Sequence, residues 1–397
     1  MNDRQRFHAT MHYQPRDRAP LYDFSFWDQT ITAWHKQGLP THYDLSNIAR
    51  YCGLDASLAG GGLPLDWYTG VVRDLYPPFE SRILEDDGDV YTMVQDDGVI
   101  VRRQRSSTSI PMHVGHTLAD RDSWKKHYLP RLNPDDPRRL PEDWDRRVKV
   151  WRDPARPHPT WLGGGWSLYG RLRNWMGLEN ISLVVYDDPA WFEEMVTTMA
   201  DLAVGLLQKL FATGGQFDGC ALWEDMCYRS GPLLSPQHFK RYLVPQYRRI
   251  TELCHKHGVD VIWVDCDGKI DELAGLWLDA GVNCMFPIEV GTWGADPYAF
   301  RKRFGKQMLL MGGVDKHILA RGPRDIEREV QRLAPLVEEG GYIPMPDHRV
   351  PPDVPLANYL HYCRVARKIW GKDTNLPPME ADNLDQHSQP SVGYSNA

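Results

Sequence analysis

Apolar runs that end in acid recur along the second half of the chain. Ala221-Leu222-Trp223 leads into Glu224-Asp225, Val261-Ile262-Trp263-Val264 into Asp265-Cys266-Asp267-Gly268, and Met285-Phe286-Pro287-Ile288 into Glu289. Met308-Leu309-Leu310-Met311 continues through Gly312-Gly313 to Asp315, and Tyr342-Ile343-Pro344-Met345-Pro346 ends at Asp347-His348. Each run has strand length and no internal polar alternation, the pattern of a parallel strand covered on both faces. Helix-compatible segments follow most of them, and that alternation predicts a parallel α/β fold. Carboxylates are rarely tolerated inside buried strands. Acids at the same end of five successive strands therefore predict a shared mouth, which in a (β/α)8 barrel is the C-terminal face that carries the active site.

The same pattern sets the expected boundaries. Trp161-Leu162-Gly163-Gly164-Gly165-Trp166 reads as a strand with a glycine-rich exit, followed by strands over 219–223, 260–265, 283–288, 308–313 and 341–345. Helices are expected over 236–257, 270–280, 296–304, 323–339 and 355–370, and Asp187-Asp188-Pro189 should cap a long helix reaching Thr213. In the first third, residues 1–18 hold a short helix, Ala19 to Phe26 a first strand, Thr30–Lys36 and Leu45–Tyr51 helices, and glycines 60–62 a loop. Residues 79–114 break the alternation. Val90–Val94, the turn Asp96-Asp97-Gly98 and Val99–Arg103 form a hairpin pattern, placed as an antiparallel insertion. Residues 132–159, with six prolines, read as a surface connection. The expectation is one domain over 1–371 and a polar, disordered tail over 372–397.

Composition narrows the function classes. The chain has 397 residues, 42% hydrophobic and 25% charged, with net charge −7 and basic residues dispersed among acids, which argues against a nucleic-acid groove. No apolar run approaches the roughly 20 residues of a membrane span, and the N-terminus lacks a signal-peptide apolar region. Seven cysteines without a CxxC pair point to free thiols and a cytoplasmic location.

Asp265 and Asp267 lie two apart and point to the same side if the strand persists. With His348 they make a ligand set for zinc or for a harder ion such as manganese or iron. Glu224 supplies a fourth ligand or acts as general base. Two other readings stay open: Asp267-Gly268 caps the next helix, or the acids work as a metal-free acid/base pair. Glu224-Asp225 is a paired acid, in which one member can titrate abnormally, and Glu289 is a similar case. Asp315 is either a ligand acceptor or a helix cap. Arg171 and Arg173 either hold an anionic group of a substrate or form a solvated helix face. Tyr22, Phe24 and Trp27 offer an apolar side to the pocket, with Asp347 as a further substrate contact. Cys266 reads as a buried small hydrophobe.

Several motifs resemble the uroporphyrinogen decarboxylase superfamily: Arg4-x-Arg6-Phe7, Pro15-x-Asp17-Arg18-Ala19-Pro20, Glu224-Asp225-Met226, Gly231-Pro232-Leu233-Leu234-Ser235-Pro236, Gly312-Gly313-Val314-Asp315 and Gly340-Gly341-Tyr342-Ile343-Pro344. Asp347-His348, Pro351-x-Asp353-Val354-Pro355 and Asn358-Tyr359 complete the set. The resemblance implies a TIM barrel, with an N-terminal helical segment and the hairpin insertion, commonly a homodimer. It also implies one of two chemistries, cofactor-free decarboxylation of porphyrinogen acetates or methyl transfer in corrinoid systems assisted by a barrel zinc. The decarboxylase's arginine-rich substrate segment is replaced here by Leu21-Tyr22-Asp23-Phe24-Ser25-Phe26-Trp27-Asp28, which would repel a polycarboxylate. The methyltransferase zinc motif, His-x-Cys plus a later Cys, is replaced by Asp265-x-Asp267 and Asp347-His348. The expectation is a metal-dependent methyltransferase, with zinc or another divalent ion. It would move a methyl group from a small methylated substrate, such as an aryl methyl ether, to a corrinoid protein. A decarboxylase of a small aromatic or heterocyclic acid, metal-assisted or cofactor-free, is the alternative, and a non-catalytic corrinoid- or tetrapyrrole-binding barrel the third.

Overall fold

A computed structural model describes residues 1–58, 67–107 and 110–385. The loop expected at glycines 60–62 and the end of the expected tail lie outside the described residues. The chain divides into two compact units, Met1–Pro64 with Met311–Ala397, and Leu65–Leu310.

In the first of these, β1 (Tyr22–Asp23) pairs in parallel with β2 (Ala56–Ser57). The helix Asp3–Met11 is closed at its start by an Asn2–Gln5 capping box. The Arg6 and Asp17 of the N-terminal motif form a two-point ion pair at 3.0 Å, and Arg18 grips Asp55 through two bonds of 2.6 Å. These charges hold the turn that launches β1.

In the unit Leu65–Leu310, the expected hairpin is part of a four-stranded antiparallel sheet: β3 (Arg82–Asp86), β4 (Val90–Val94), β5 (Val99–Gln104) and β6 (Met112–His116), in that order. Gly98 takes the positive φ of +82° that the turn requires. The expected surface connection is more deeply built than its prolines suggest. It contains the helix Trp144–Arg152 and buries Trp151 and Arg139 completely. Arg139 satisfies its donors on the carbonyls of Asn133, Arg131, Val72 and Asp74.

The parallel strands follow: β7 (Trp161–Trp166), β8 (Gly219–Trp223), a small hairpin of β9 (Cys227–Tyr228) and β10 (Gly231–Pro232), β11 (Ile262–Asp265) and β12 (Cys284–Ile288). Their spatial order is β7-β8-β11-β12, all parallel, with Asp265 registered on Trp223 at one side and Phe286 at the other. Small residues on β8 make room for large ones beside it. A side chain at Gly219 would run into the Trp161 ring, which instead stacks on Trp263 at 4.6 Å and 5°. Trp263 in turn lies against Phe286 at 5.6 Å.

The helix Pro189–Ala212 starts at the Asp188 cap and buries twelve residues, Trp191 to Phe211. By length and composition it is apolar enough to cross a membrane, contrary to the expectation that no such stretch exists. It packs against the helix Val244–Lys256. That second helix was expected to begin at 236. Its first part is instead a π-turn over Phe239–Leu243, and Pro245 sits at its first turn.

β13 (Leu309–Val314) carries the chain back to the first unit, where β14 (Tyr342–Pro346) lies beside it: the Tyr342 hydroxyl donates to the Gly312 carbonyl at 2.7 Å. The helices Pro323–Glu339 and Leu356–Ile369 pack together. Beyond Lys372 the chain departs from the expected tail. Met379 and Ala381 are buried, and the Asn375 carbonyl accepts from Arg18. The seven cysteines are free thiols, all buried.

Candidate active site

Three strand exits of the unit Leu65–Leu310 are stapled together. After β8, the Glu224 N–H donates to the Asp265 carbonyl at 2.9 Å, and the Asp267 N–H donates to Asp225 Oδ1 at 3.3 Å. On the other side, the Gly268 N–H donates to Glu289 Oε2 at 2.6 Å. Gly268 has φ +90°, and a Cβ there would lie 2.5 Å from the Cys227 carbonyl oxygen, so no other residue fits this crossing. Asp225 itself holds φ +40°, a left-handed conformation that costs about 1–2 kcal/mol for a residue with a side chain.

The outcome is a carboxylate cluster. Asp225, Asp265 and Asp267, all half-buried, each bring one oxygen within 4.8 Å of the other two. Three negative charges this close repel, and a cation among them removes that cost. All three ligand atoms are hard oxygen donors, the set that suits magnesium, manganese or calcium better than zinc. The cluster therefore fits a divalent ion, and it contains two of the ligands expected from the sequence, Asp265 and Asp267. Asp225, expected as a catalytic acid, belongs to it. His348, expected as a ligand, is in the other unit, edge-on to Phe24 at 5.4 Å and tilted against Trp27 at 6.1 Å.

Glu224 has a different job from the one expected. It is fully buried, and both its oxygens are occupied. Oε1 accepts from the Leu168 N–H at 2.9 Å and the Tyr247 hydroxyl at 2.6 Å. Oε2 accepts from the Tyr169 and Gly170 N–H groups, both at 2.9 Å, and from Ser167 Oγ at 3.2 Å. Burial pushes its carboxyl above the usual range while these donors pull it back. It ties the exit of β8 to the start of the helix Gly170–Met176 and is a positioning residue. Glu289, 3% exposed, is likewise consumed by the Gly268 N–H and the Thr292 hydroxyl.

Arg171 and Arg173 leave that helix toward the cluster. Both guanidinium groups stand over the Trp223 ring, at 4.8 and 6.0 Å, and Arg173 Nη1 donates to the Asp225 carbonyl at 2.6 Å. Arg171 pairs with Asp74 at 2.9 Å. Tyr68, which bridges β7 at Trp161, adds a phenol whose pKa is raised first by burial and further by the nearby Asp265 charge. His113, on β6, lies in the field of Asp97 and Arg173, and burial lowers its pKa. Sequence reading missed Tyr68, Arg73 and Asp74. The signal was a short apolar pair, Trp67-Tyr68, running into Arg73-Asp74 without the length of a strand.

The remaining expected contacts are in the other unit. Asp315 caps the helix Lys316–Leu319 by accepting from the His317 N–H at 2.9 Å, which favours the cap over a ligand contact. Asp347 is fully buried and accepts from the Lys316 N–H at 3.1 Å. Tyr22 is buried, its phenol within reach of the Asp55 and Arg18 charges.

Comparison with known proteins places the chain in a family. The uroporphyrinogen decarboxylase (URO-D) family model matches residues 159–369. A uroporphyrinogen decarboxylase of Trichormus variabilis is 22% identical over 214 residues, 52% of this chain and 57% of that protein. One of Nocardia farcinica is 24% identical over 157 residues, 39% of this chain and 41% of that protein. The chain thus spans about half the length of the curated relatives it matches. Among solved structures, a methyltransferase from Methanosarcina mazei superposes with a TM-score of 0.56 at 13% identity, covering 93% of this chain and 99% of that one. The α/β, TIM-barrel fold class anticipated from the strand–helix alternation is the fold of these proteins. The chain belongs to the uroporphyrinogen decarboxylase family.

Proposed function

We propose that this protein is a metal-dependent methyltransferase of that family. It moves a methyl group from a small methylated substrate, an aryl methyl ether being the form that the Trp223 ring beside the cluster suits, to a corrinoid protein. The observation that carries the reading is the Asp225–Asp265–Asp267 cluster at adjacent strand ends, with oxygen donors and no thiolate. The likeness in fold to a methyltransferase supports it.

Asp225, Asp265 and Asp267 would hold the ion, and the donor set favours magnesium or manganese over the zinc anticipated from sequence. When bound, the ion supplies Lewis acidity toward the heteroatom that carries the methyl group. The chain's own residues do the rest. Glu224 and Glu289 fix the loops that present the three aspartates. Arg171 and Arg173, braced on Trp223, orient the substrate. The Tyr68 phenol beside Asp265 is placed to give a proton to the heteroatom as its bond to the methyl carbon breaks. The methyl carbon goes to the acceptor's nucleophile and the bonding pair stays on the heteroatom.

The test is methyl transfer from a panel of aryl methyl ethers to cob(I)alamin, followed by the acceptor's absorption change with manganese present. Turnover that is lost in Asp265→Asn supports the reading. Loss of CO2 from aromatic acids, with no methyl transfer, would replace it with the decarboxylase chemistry of the curated relatives. Self-association into a homodimer is part of the proposal and is read by light scattering.

A further inference from the structure

Arg73 is a largely buried arginine without an ion pair among the described residues. Its Nε is inaccessible to solvent and meets no acceptor among the described residues. The nearest carboxylate in sequence, Asp74, is engaged by Arg171 at 2.9 Å. Burial disfavours the Arg73 charge most, the Asp74 charge offsets part of that, and Arg171 is close enough to repel it. An arginine stays charged at any physiological pH, so burying one unpaired is costly. Such a charge persists mainly where a ligand completes it.

The surroundings hold Arg73 in place. Buried Arg139 clamps the backbone on either side of it, donating to the Val72 carbonyl at 2.9 Å and the Asp74 carbonyl at 2.7 Å, while the Val72 N–H donates back at 2.9 Å. Asp74, next to Arg73 in the chain, is bound by Arg171 at 2.9 Å, and the Arg171 guanidinium stands over Trp223, the residue registered on Asp265 of the cluster. Arg173 stands over the same Trp223 ring at 6.0 Å and donates to the Asp225 carbonyl at 2.6 Å.

We propose that Arg73, with Arg171 and Arg173, forms an oxyanion site that receives a carboxylate of the substrate. This rests on the reading of the strand-end mouth as the substrate site and narrows it: the substrate is a small methylated aromatic or heterocyclic acid. A planar guanidinium whose Nε meets no acceptor among the described residues matches a carboxylate oxygen. The site takes a single negative charge, because Asp74 and the aspartate cluster at the strand ends oppose a dianion.

The test is a titration of the full chain with benzoate and with uncharged benzamide, followed by tryptophan fluorescence, beside manganese binding measured separately. Benzoate should bind at least about tenfold tighter than benzamide, the effect of one or two charge-assisted hydrogen bonds. Arg73→Met should lose that preference while raising the melting temperature, since it removes a buried unpaired charge, and Arg73→Lys should keep part of it. Equal binding of the two ligands by the wild-type chain overturns the proposal, as does an unchanged preference in Arg73→Met. Failure to bind manganese with the benzoate preference intact overturns the metal reading and leaves the oxyanion site standing. The wild-type comparison and Arg73→Lys keep the test decisive if Arg73→Met does not fold.

Discussion

Replacing Gly170 by alanine inverts an ordinary rule. Near a helix start, glycine to alanine normally stabilises by about 0.4–1 kcal/mol, because the unfolded chain loses freedom. Here the added Cβ would lie against the Glu224 backbone, 2.8 Å from its carbonyl carbon and 3.0 Å from its Cα. Comfortable carbon contacts begin near 3.5 Å, so the helix Gly170–Met176 must retreat by roughly 0.7 Å. The Tyr169 and Gly170 N–H bonds to Glu224 Oε2, now 2.9 Å, would then stretch past useful length. Two bonds to a buried carboxylate are worth about 1.5–3 kcal/mol each. Set against the entropic gain, Gly170→Ala should destabilise by about 2–5 kcal/mol. Urea unfolding of the two proteins, with equal slopes, measures this directly. A variant within about 0.5 kcal/mol of wild type, or more stable, refutes the claim that the helix start is pinned on Glu224. Because Asp225 follows Glu224 directly, the same variant should also bind manganese more weakly.

Three further outcomes follow from the same geometry. Asp23 is fully buried, its carboxyl pushed by burial up to about 6 from a usual 3.8. A raised carboxyl stabilises most below its unfolded value and loses that contribution as pH rises, so stability should fall by up to about 3 kcal/mol between pH 4 and 6. Asp23→Asn should flatten that slope in urea midpoints taken across the window. Arg18→Met leaves Asp55 buried without its partner and should cost about 3–5 kcal/mol by the same measurement. Gly268→Ala, with its Cβ 2.5 Å from the Cys227 carbonyl oxygen, should lower both the melting temperature and manganese affinity, whereas Gly275→Ala, inside the helix Asp271–Asp279 with only an ordinary 3.6 Å contact to Phe304, should be neutral or stabilising.

The strand ends were legible because buried parallel strands leave an unmistakable mark, an unbroken apolar run stopped by charge. Trp223, Asp265 and Ile288 end strands where the runs end. What charge at a strand end does was not legible. Glu224 and Asp225 are adjacent, yet one turns inward to five donors and the other outward to the cluster. The difference lies in the left-handed φ at Asp225 and in a helix start 54 residues upstream, at Gly170. Glu289 and Asp315 are likewise taken up by backbone N–H groups, that of Gly268 on the neighbouring strand exit and that of His317 two residues on. Arg73 and Tyr68 were invisible because their segment is too short to show a period. The prolines of 132–159 suggested surface, but that segment supplies buried Arg139, which clamps the Arg73 loop.

The most direct test of the central claim is manganese binding by electron paramagnetic resonance, in which free ion is counted as it is withdrawn by the protein. The account predicts about one ion bound per chain, with affinity reduced at least about tenfold in each of Asp225→Asn, Asp265→Asn and Asp267→Asn while the fold is kept. No saturable binding by the wild-type chain, or binding indifferent to all three substitutions, would contradict it.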